Sequence, residues 1–136
     1  MRFYCLALLA ALPVAAHAAE PITGQWVTKE GKAIVTIAPC GGGVLCGKVS
    51  KALKPFTEGN GLDIRNPDPA LRTRPIVGLT ILSSFKDTGR DWRGRIYNPE
   101  EGRDYRSILR RLPDGSLEVK GCWGIFCQTQ NWKAAR

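Results

Sequence analysis

Residues Asp63 to Gly78 read DIRNPDPALRTRPIVG, and this stretch limits how the chain on either side of it can fold. Its three prolines fix φ and remove backbone donors, which excludes a central strand and leaves room for one helical turn from Pro69. Asp68, directly before that proline, is typical of a helix N-cap. The charged side chains of the stretch predict a stiff loop held by charge-assisted hydrogen bonds. They are Asp63, Asp68, Arg65, Arg72 and Arg74.

Short β-strands joined by turns are predicted on both sides of this loop. The predicted strands cover 24–28, 33–38, 44–53, 76–85, 92–97, 103–112, 117–121 and 128–133. Along 92–97 the residues Trp92, Gly94 and Ile96 alternate with Arg93, Arg95 and Tyr97. An apolar face therefore points inward and a basic face outward. Eight antiparallel strands avoid exposed edges by closing into a barrel that holds side chains or one small ligand. We therefore predict an all-β, eight-stranded antiparallel barrel, with a two-sheet sandwich as the alternative.

The first 18 residues have the parts of a secretory signal peptide. They comprise a positively charged start, an apolar run over 3–16 and an A-x-A site at Ala16-His17-Ala18. The run is too short to span a bilayer, and Pro13 argues against the alternative of a buried N-terminal helix. We expect cleavage after Ala18, or one residue later, which leaves a single domain over 19–136. That domain is expected in the periplasm or outside the cell, with no transmembrane segment.

Cleavage removes Cys5 and leaves an even number of cysteines, which argues for disulfides in an exported chain. Three pairings are possible. The favoured one joins Cys40 to Cys46 and Cys122 to Cys127, since each pair flanks a glycine-containing segment that can turn back on itself. Each link would stabilise the fold by about 2 kcal/mol on the chain-entropy model. A four-thiolate zinc site is the alternative, but zinc ligand pairs usually sit closer together and exported thiols tend to oxidise.

The chain is basic, with a formal net charge of +8 that falls to +7 when Arg2 is removed. Such a charge favours anionic partners through long-range attraction. Nucleic acid is a poor candidate outside the cytoplasm, so the expected anions are phosphate-bearing lipids or polysaccharides of the cell envelope. A solvated basic surface that keeps the protein soluble is the alternative. We expect a monomer with no cofactor and no metal.

Six stretches of the sequence carry a resemblance to a known family. They are Gly24-Gln25-Trp26, Cys46-Gly47-Lys48-Val49, 63–78, Trp92-x-Gly94 with Ile96-Tyr97-x-Pro99, Gly102 with Tyr105, and Gln128-Thr129-Gln130-x-Trp132. Together they resemble DUF2147, a family of exported bacterial proteins without an established activity. The resemblance covers almost the whole mature chain and implies a lipocalin-like barrel.

The sequence departs from the family pattern at two positions, and from lipocalin-like chains in a third respect. Arg95 stands where the family usually has a second glycine after Trp-x-Gly, and Asn98 stands where it usually has Asp. Lipocalin-like chains also often pack a late arginine across the first-strand tryptophan. Here the basic residues after Trp132 are Lys133 and Arg136.

Removal of the leader also removes His17, the one histidine of the chain. Its loss excludes Ser-His and Cys-His nucleophiles and the common histidine metal sites. Asp63 and Asp68 are then the clustered carboxylates, and they either act as acid and base or lock the loop through nearby arginines and amides. We expect the locking role, with Asn66 as a third structural residue of the loop and no catalytic residue.

Binding of a small amphipathic or anionic ligand at the barrel mouth is the favoured function, because aromatic and basic side chains suit such a ligand. The predicted ligand-binding residues are Arg72, Arg74, Trp92, Tyr97, Tyr105 and Gln130. One alternative is an envelope interaction or structural module that uses a basic face formed by Arg93, Arg95 and Arg106. The other is an enzyme that uses its carboxylates.

Overall fold

The structure, a computed structural model, describes residues 10–136. In that range eight antiparallel strands close into one barrel in which each strand pairs with its neighbours in sequence and the last returns to the first. The strands are β1 (Gly24–Val27), β2 (Ala33–Pro39), β3 (Leu45–Ala52), β4 (Thr80–Asp87), β5 (Trp92–Asn98), β6 (Arg103–Arg111), β7 (Leu117–Trp123) and β8 (Phe126–Ala134). The predicted barrel is confirmed, and the sandwich alternative is wrong. The predicted signal peptide falls partly outside the described residues, at positions 1–9.

Three short 3₁₀ turns are the helical elements of the described range, at Lys29–Gly31, Gly59–Gly61 and Pro69–Leu71. The last of them begins at the predicted residue, and the side chain of Asp68 caps it by accepting a hydrogen bond from the Ala70 amide at 3.0 Å. The proline and the capping aspartate therefore act as the sequence indicates.

Two strands begin two or more residues away from the predicted start. β4 begins at Thr80 instead of residue 76, because Gly78 has a φ of +94° and the Leu79 amide turns back to the Ile76 carbonyl at 3.0 Å. β8 begins at Phe126 instead of residue 128, because its ladder with β7 continues to the pair Trp123–Phe126. The β7–β8 connection is therefore a two-residue turn.

The inside of the barrel is packed with apolar side chains. Gly94 on β5 shows how closely they pack, since a Cβ there would lie 2.8 Å from the Phe85 ring and 2.5 Å from the Ser83 carbonyl. Two depressions of the described residues, of about 350 and 440 Å³, both lie on the outside of the barrel. The buried core contains Ile22, Trp26, Val35, Ile37, Leu45, Val49, Leu79, Ile81, Leu82, Phe85, Tyr97, Leu109, Leu117, Val119 and Trp132.

The segment before β1 (residues 19–22), which we call the strap, crosses one end of the barrel, and we call that end the strap end. Ile22 is fully buried there, and four hydrogen bonds hold the backbone of residues 19–22 against the strands. They run from Ala19 N to Asp87 Oδ1 (3.0 Å), from Trp92 Nε1 to Glu20 O (3.0 Å), from Arg111 Nη1 to Pro21 O (3.4 Å) and from Trp26 Nε1 to Ile22 O (2.9 Å).

An arginine does cover the first-strand tryptophan, but it does not come from the C-terminal segment that the resemblance implies. The guanidinium carbon of Arg111 lies 5.6 Å from the centre of the Trp26 ring. Arg111 ends β6 and faces Leu117, which faces Trp132 on the next strand. The register of the closed sheet therefore brings it to the strap end, and sequence order alone does not reveal this.

At the opposite end, which we call the loop end, the connection of residues 53–79 lies at the same end as the β1–β2, β5–β6 and β7–β8 turns. The seam between β1 and β8 is short. Only the pairs Trp26–Ala134 and Val27–Lys133 join these strands, because β1 has four residues and β8 has nine. The depression of about 350 Å³ lies beside this seam. Closure of the barrel therefore relies on the strap as well as on the ladder.

Both predicted disulfides are present. Cys40 is bonded to Cys46 across the β2–β3 hairpin, and Cys122 is bonded to Cys127 across the β7–β8 hairpin. Each bond joins the two strands beside a turn, so each holds a hairpin tip in register.

Gly102 in the β5–β6 turn is predicted to tolerate no side chain. Its φ is +67°, and a Cβ would lie 1.8 Å from the carbonyl oxygen of Arg65. We expect Gly102→Ala to lower the free energy of unfolding by about 3 kcal/mol or more, because steric overlap adds to the roughly 1–2 kcal/mol cost of a left-handed backbone. Urea unfolding measures this loss.

Gly115→Ala is the matched control, since Gly115 has a φ of +86° with no atom within 4 Å of the added Cβ. This control should lose only the part of the free energy of unfolding that comes from the left-handed backbone. Equal losses for the two variants would mean that the contact with Arg65 does not constrain the loop.

Candidate functional site

Asp63 is the centre of the connection between β3 and β4, and it has no solvent exposure. Its Oδ1 accepts a hydrogen bond from the Tyr97 hydroxyl at 2.6 Å, and its Oδ2 accepts from Asn66 Nδ2 and Arg74 Nε at 2.9 Å each. The Asp63 amide donates to the Arg74 carbonyl at 2.9 Å. A buried carboxylate needs a charged partner and several donors, and this loop supplies both.

The residues inside the loop are held by their own polar groups. Asn66 Oδ1 accepts a hydrogen bond from the Asp68 amide at 2.9 Å, so the asparagine side chain turns the chain toward the 3₁₀ turn. Arg72 Nε donates to the Asn66 carbonyl at 2.7 Å. Within the described residues, Arg72 makes no ion pair with either aspartate, in contrast to Arg74.

Tyr97 connects this loop to the outer wall of the barrel. Its neighbour Ile96 faces inward opposite Leu82, so Tyr97 must face outward. It is nevertheless 8% exposed, because the loop covers it. The guanidinium carbon of Arg74 lies 5.8 Å from the centre of its ring. The loop is therefore fastened to the side of β5 rather than suspended above the barrel mouth.

Burial and hydrogen bonding have opposite effects on the Asp63 carboxylate. Burial alone would raise the pKa of Asp63, but the hydrogen bonds from Tyr97, Asn66 and Arg74 outweigh it and lower the pKa below its usual value. Burial and the hydrogen bond to Asp63 raise the pKa of Tyr97 to about 12. Asp63 is therefore ionised and Tyr97 neutral at physiological pH.

Both aspartates accept hydrogen bonds that hold the loop. Both oxygens of Asp63 are occupied by protein donors, and the residue has no exposed surface. Asp68 is exposed and caps the 3₁₀ turn. A general acid or base must contact the proton that it transfers, and the buried carboxylate presents no free oxygen for that contact.

A row of basic side chains lies on the outer face of β4, β5 and β6, and we call it the basic strip. Lys86 on β4 faces Arg93 on β5, and Arg95 faces Arg106 on β6. Like charges directly opposite one another destabilise a sheet. The register therefore places positive charges opposite one another at a cost in stability of the sheet. The strip consists of Lys86, Arg93, Arg95 and Arg106.

Acidic neighbours compensate only part of this charge. Arg93 pairs with Asp91 at 3.2 Å. Asp104 is exposed on the same face of β6 as Arg106, two residues away. Within residues 10–136, neither Arg95 nor Arg106 has a carboxylate oxygen within 4.0 Å. Both guanidinium groups therefore lack an anionic partner within this range.

Beside the basic strip, the β7–β8 hairpin ends in an exposed apolar turn, which we call the hairpin tip (residues 123–126). Trp123 is 77% exposed, Ile125 is 90% exposed and Phe126 is 73% exposed. The positive φ of this turn falls on Gly124, at +58°. Arg106 Nη2 donates to the Gly124 carbonyl at 3.0 Å, which joins the basic strip to the tip.

The predicted ligand-binding residues fall in three places. Three belong to or contact the loop around Asp63, namely Arg72, Arg74 and Tyr97. Trp92 lies at the strap end, where its indole nitrogen bonds the strap. Tyr105 and Gln130 face the inside of the barrel, as shown by their partners Ile96 and Val119.

The structure therefore does not bring these six residues into one site. The two inner ones are half-buried and already bonded, since the Tyr105 hydroxyl donates to Glu101 and Gln130 Oε1 accepts from Trp132 Nε1 at 3.0 Å. The role of all six residues in ligand binding stays a prediction.

The hairpin tip is the feature that the sequence analysis missed. A usable signal was present, because three of the four residues between Cys122 and Cys127 are large and apolar. A disulfide between these cysteines leaves so short a segment that its side chains cannot reach the core. Such a segment must expose its apolar groups.

Asp63→Asn should weaken the fold and change its dependence on pH. At neutral pH we expect a loss of about 2–3 kcal/mol in the free energy of unfolding, because an amide nitrogen cannot accept the hydrogen bonds that Asn66 and Arg74 donate to Oδ2. The lowered pKa of Asp63 stabilises the wild type above the unfolded value of about 3.9, and that stability is lost as pH falls through the folded value.

Urea unfolding between neutral and acidic pH measures both effects, and the variant should show a shallower loss of stability in acid. The control is Asp104→Asn, an exposed carboxylate that should change stability by less than about 0.5 kcal/mol. If Asp63→Asn behaves like this control, the buried carboxylate does not hold the loop.

Comparisons with known proteins agree with this geometry. No curated protein matches the sequence. Among solved structures, the barrel is similar to the Helicobacter pylori protein HP1028, which is described as belonging to the lipocalin family. The two chains are 24% identical with a TM-score of 0.72, over 85% of this chain and 84% of that one. At this identity the similarity shows the fold, which is lipocalin-like.

Within residues 10–136, no helix has the length and apolar character needed to cross a membrane. Residues 24–134 match the family described as "Uncharacterized protein conserved in bacteria (DUF2147)". The match extends from the first residue of β1 to the last residue of β8, and it includes the loop around Asp63. The chain therefore belongs to the DUF2147 family.

Proposed function

We propose that this protein is an exported barrel that binds a phosphate-bearing anionic component of the cell envelope through the basic strip. The observation that carries the proposal is the register of β5 and β6, which places Arg95 directly opposite Arg106 with no ion pair to either side chain among residues 10–136. The two guanidinium forks can donate together to one phosphate group. An anion in that position would relieve the repulsion between them.

Export is part of the proposal and rests on two features. Two disulfides are typical of oxidising compartments, and the N-terminal residues have the pattern of a signal peptide. Contacts between the N-terminal segment and the barrel support cleavage after Ala18, because Ala19 is buried and its nitrogen lies 3.0 Å from Asp87 Oδ1. Cleavage there would place a positively charged amine beside that carboxylate.

Reversing the charge of the strip tests this function. We expect Arg95→Glu with Arg106→Glu to weaken binding of inorganic polyphosphate by at least about tenfold at low ionic strength, because two guanidinium–phosphate contacts are replaced by repulsion. Isothermal titration calorimetry measures the affinity, and circular dichroism checks that the variant is folded.

Lys48→Glu with Lys51→Glu is the matched control. It changes the net charge equally on the outside of β3, where both lysines are exposed. A nonspecific effect of net charge would weaken binding equally in the two variants, and that result would overturn the proposed role of the strip.

A second candidate function is binding of a small amphipathic ligand inside the loop end of the barrel. The observation in its favour is that the inward side of β8 is accessible there, since Gln128 is exposed and Gln130 is half-buried opposite Gly121 and Val119. Polar groups beside an apolar wall are typical of ligand pockets. The lipocalin-like fold is compatible with this role.

For this second function, native mass spectrometry of protein purified from its own compartment should show a bound small molecule. Gln130→Leu should reduce its occupancy, because the amide that would orient the ligand is lost. Gln25→Leu, on the exposed part of β1, serves as the control. Bare protein in every preparation, together with no thermal stabilisation by envelope lipid extracts, would contradict this candidate.

A further inference from the structure

The geometry points to the hairpin tip as a membrane anchor: we propose that Trp123, Ile125 and Phe126 insert into the interface of an anionic lipid surface while the basic strip binds its head groups. The inference rests on the proposed function, since it identifies the anionic component as a lipid. It goes further because it adds a second binding element on a different hairpin. That element binds the apolar part of the lipid, whereas the basic strip binds its head group.

The exposure of the tip is its first distinguishing property. Its three large apolar side chains are 73–90% exposed. The other exposed large apolar residues of 19–136 lie in the β3–β4 connection, from Leu53 to Val77, and are 37–43% exposed. Single exposed apolar residues are common on protein surfaces, but a cluster of this kind marks a site of interaction.

The shape of the tip favours a lipid surface over a folded protein. A two-residue turn with large side chains on and beside it is a protrusion, and it offers little of the roughly 800 Å² that each partner buries in a stable protein interface. A lipid interface instead accepts a small wedge, because the head-group region deforms around it. Aromatic side chains prefer that region, where an apolar ring can remain next to polar groups.

The indole nitrogen of Trp123 supports this preference. The other tryptophans of the chain, Trp26, Trp92 and Trp132, each donate a hydrogen bond from Nε1 to a protein oxygen. Within residues 10–136, the Trp123 nitrogen has no such partner. It is therefore able to donate to a lipid carbonyl or phosphate oxygen when the ring enters the interface.

The charges beside the tip determine which lipid surface it fits. Arg106 reaches the tip through its bond to the Gly124 carbonyl, and Arg95 lies opposite Arg106 on the neighbouring strand. Cys122, which precedes the tip, faces Arg106 across β6 and β7. Trp123 and Phe126 continue the inward faces of β7 and β8 past the loop end, and Arg106 reaches the same turn from the outer face. Basic and apolar groups therefore adjoin at this turn, and proteins that bind anionic membranes combine charge with insertion.

The tip is also held in shape before it meets a membrane. The Cys122–Cys127 disulfide joins the two strands one residue from the turn on each side. A fixed turn loses less conformational entropy on insertion than a flexible loop. The disulfide thus holds the apolar side chains at the end of the hairpin.

Binding of the full chain to vesicles tests the anchor. The vesicles contain phosphatidylcholine with about one-third phosphatidylglycerol, and a parallel set contains phosphatidylcholine alone. We expect the wild type to bind the anionic vesicles, and Trp123→Ser with Phe126→Ser to weaken that binding by about tenfold or more. The matched control is Leu53→Ser with Val77→Ser, two exposed apolar residues outside the tip that should leave vesicle binding unchanged.

Fluorescence gives a second readout that folding alone does not change. Brominated acyl chains should quench wild-type tryptophan emission on anionic vesicles, and Trp123→Phe should remove that quenching while the protein still binds. Quenching that persists in Trp123→Phe would show that a different tryptophan inserts, which overturns the assignment of the tip.

The failure of the anchor can be told apart from the failure of the proposed function. If the tip variant binds anionic vesicles as the wild type does while Arg95→Glu with Arg106→Glu does not, the basic strip acts without insertion and the anchor is wrong. If the charge-reversed variant binds both vesicles and polyphosphate normally, the proposed function is wrong. If the wild type binds no vesicles but captures a soluble protein through the tip, the partner is a protein, and the lipid assignment is overturned.

Discussion

The buried carboxylate of Asp63 is the constraint on which the loop end of this barrel depends. A charge without solvent contact is stable only when donors surround it, so the connection between β3 and β4 must take the one shape that brings Asn66, Arg74 and Tyr97 to its oxygens. Because Tyr97 belongs to β5, satisfying this charge also fixes the loop to the wall of the sheet.

The two ends of the barrel are covered to different degrees. At the strap end, side chains of several strands donate hydrogen bonds to the carbonyls of a short backbone segment, and Ile22 fills the space beneath it. At the loop end, the charged loop lies against the outside of β5 and leaves the inward side of β8 accessible. The packed interior therefore stabilises the fold. The exterior carries, among the described residues, charged groups that have no ion-pair partner and apolar groups that are exposed.

These exterior groups are of two kinds, one charged and one apolar. Arginine side chains that face one another across β5 and β6 form a positive surface, and the hairpin beside them exposes aromatic and aliphatic groups. Both arrangements cost stability in water, through repulsion and through exposed apolar surface. Both costs would be relieved by a partner that is anionic at its surface and apolar beneath.

Local sequence patterns determined most of what was predicted correctly. Alternation of apolar and polar residues identified the strands and the closed barrel, the cysteine spacing identified both disulfides, and Asp68 before proline identified the 3₁₀ turn. The start of β4 was misplaced because an apolar stretch resembles a strand until Gly78 takes a positive φ. The six predicted ligand-binding residues do not meet, since their positions depend on contacts between strands far apart in sequence.

The sequence by itself determined the class of fold, the oxidised cysteines and the stiffness of the proline-rich loop, because these follow from interactions among residues close together in the chain. Only the tertiary structure decided that Tyr97 is buried under the loop, that Arg111 covers Trp26 and that Arg95 opposes Arg106. Each of these depends on strand register. The register is set when the whole sheet closes around one packed core, and a shift of one residue would turn every side chain of a strand to the other face.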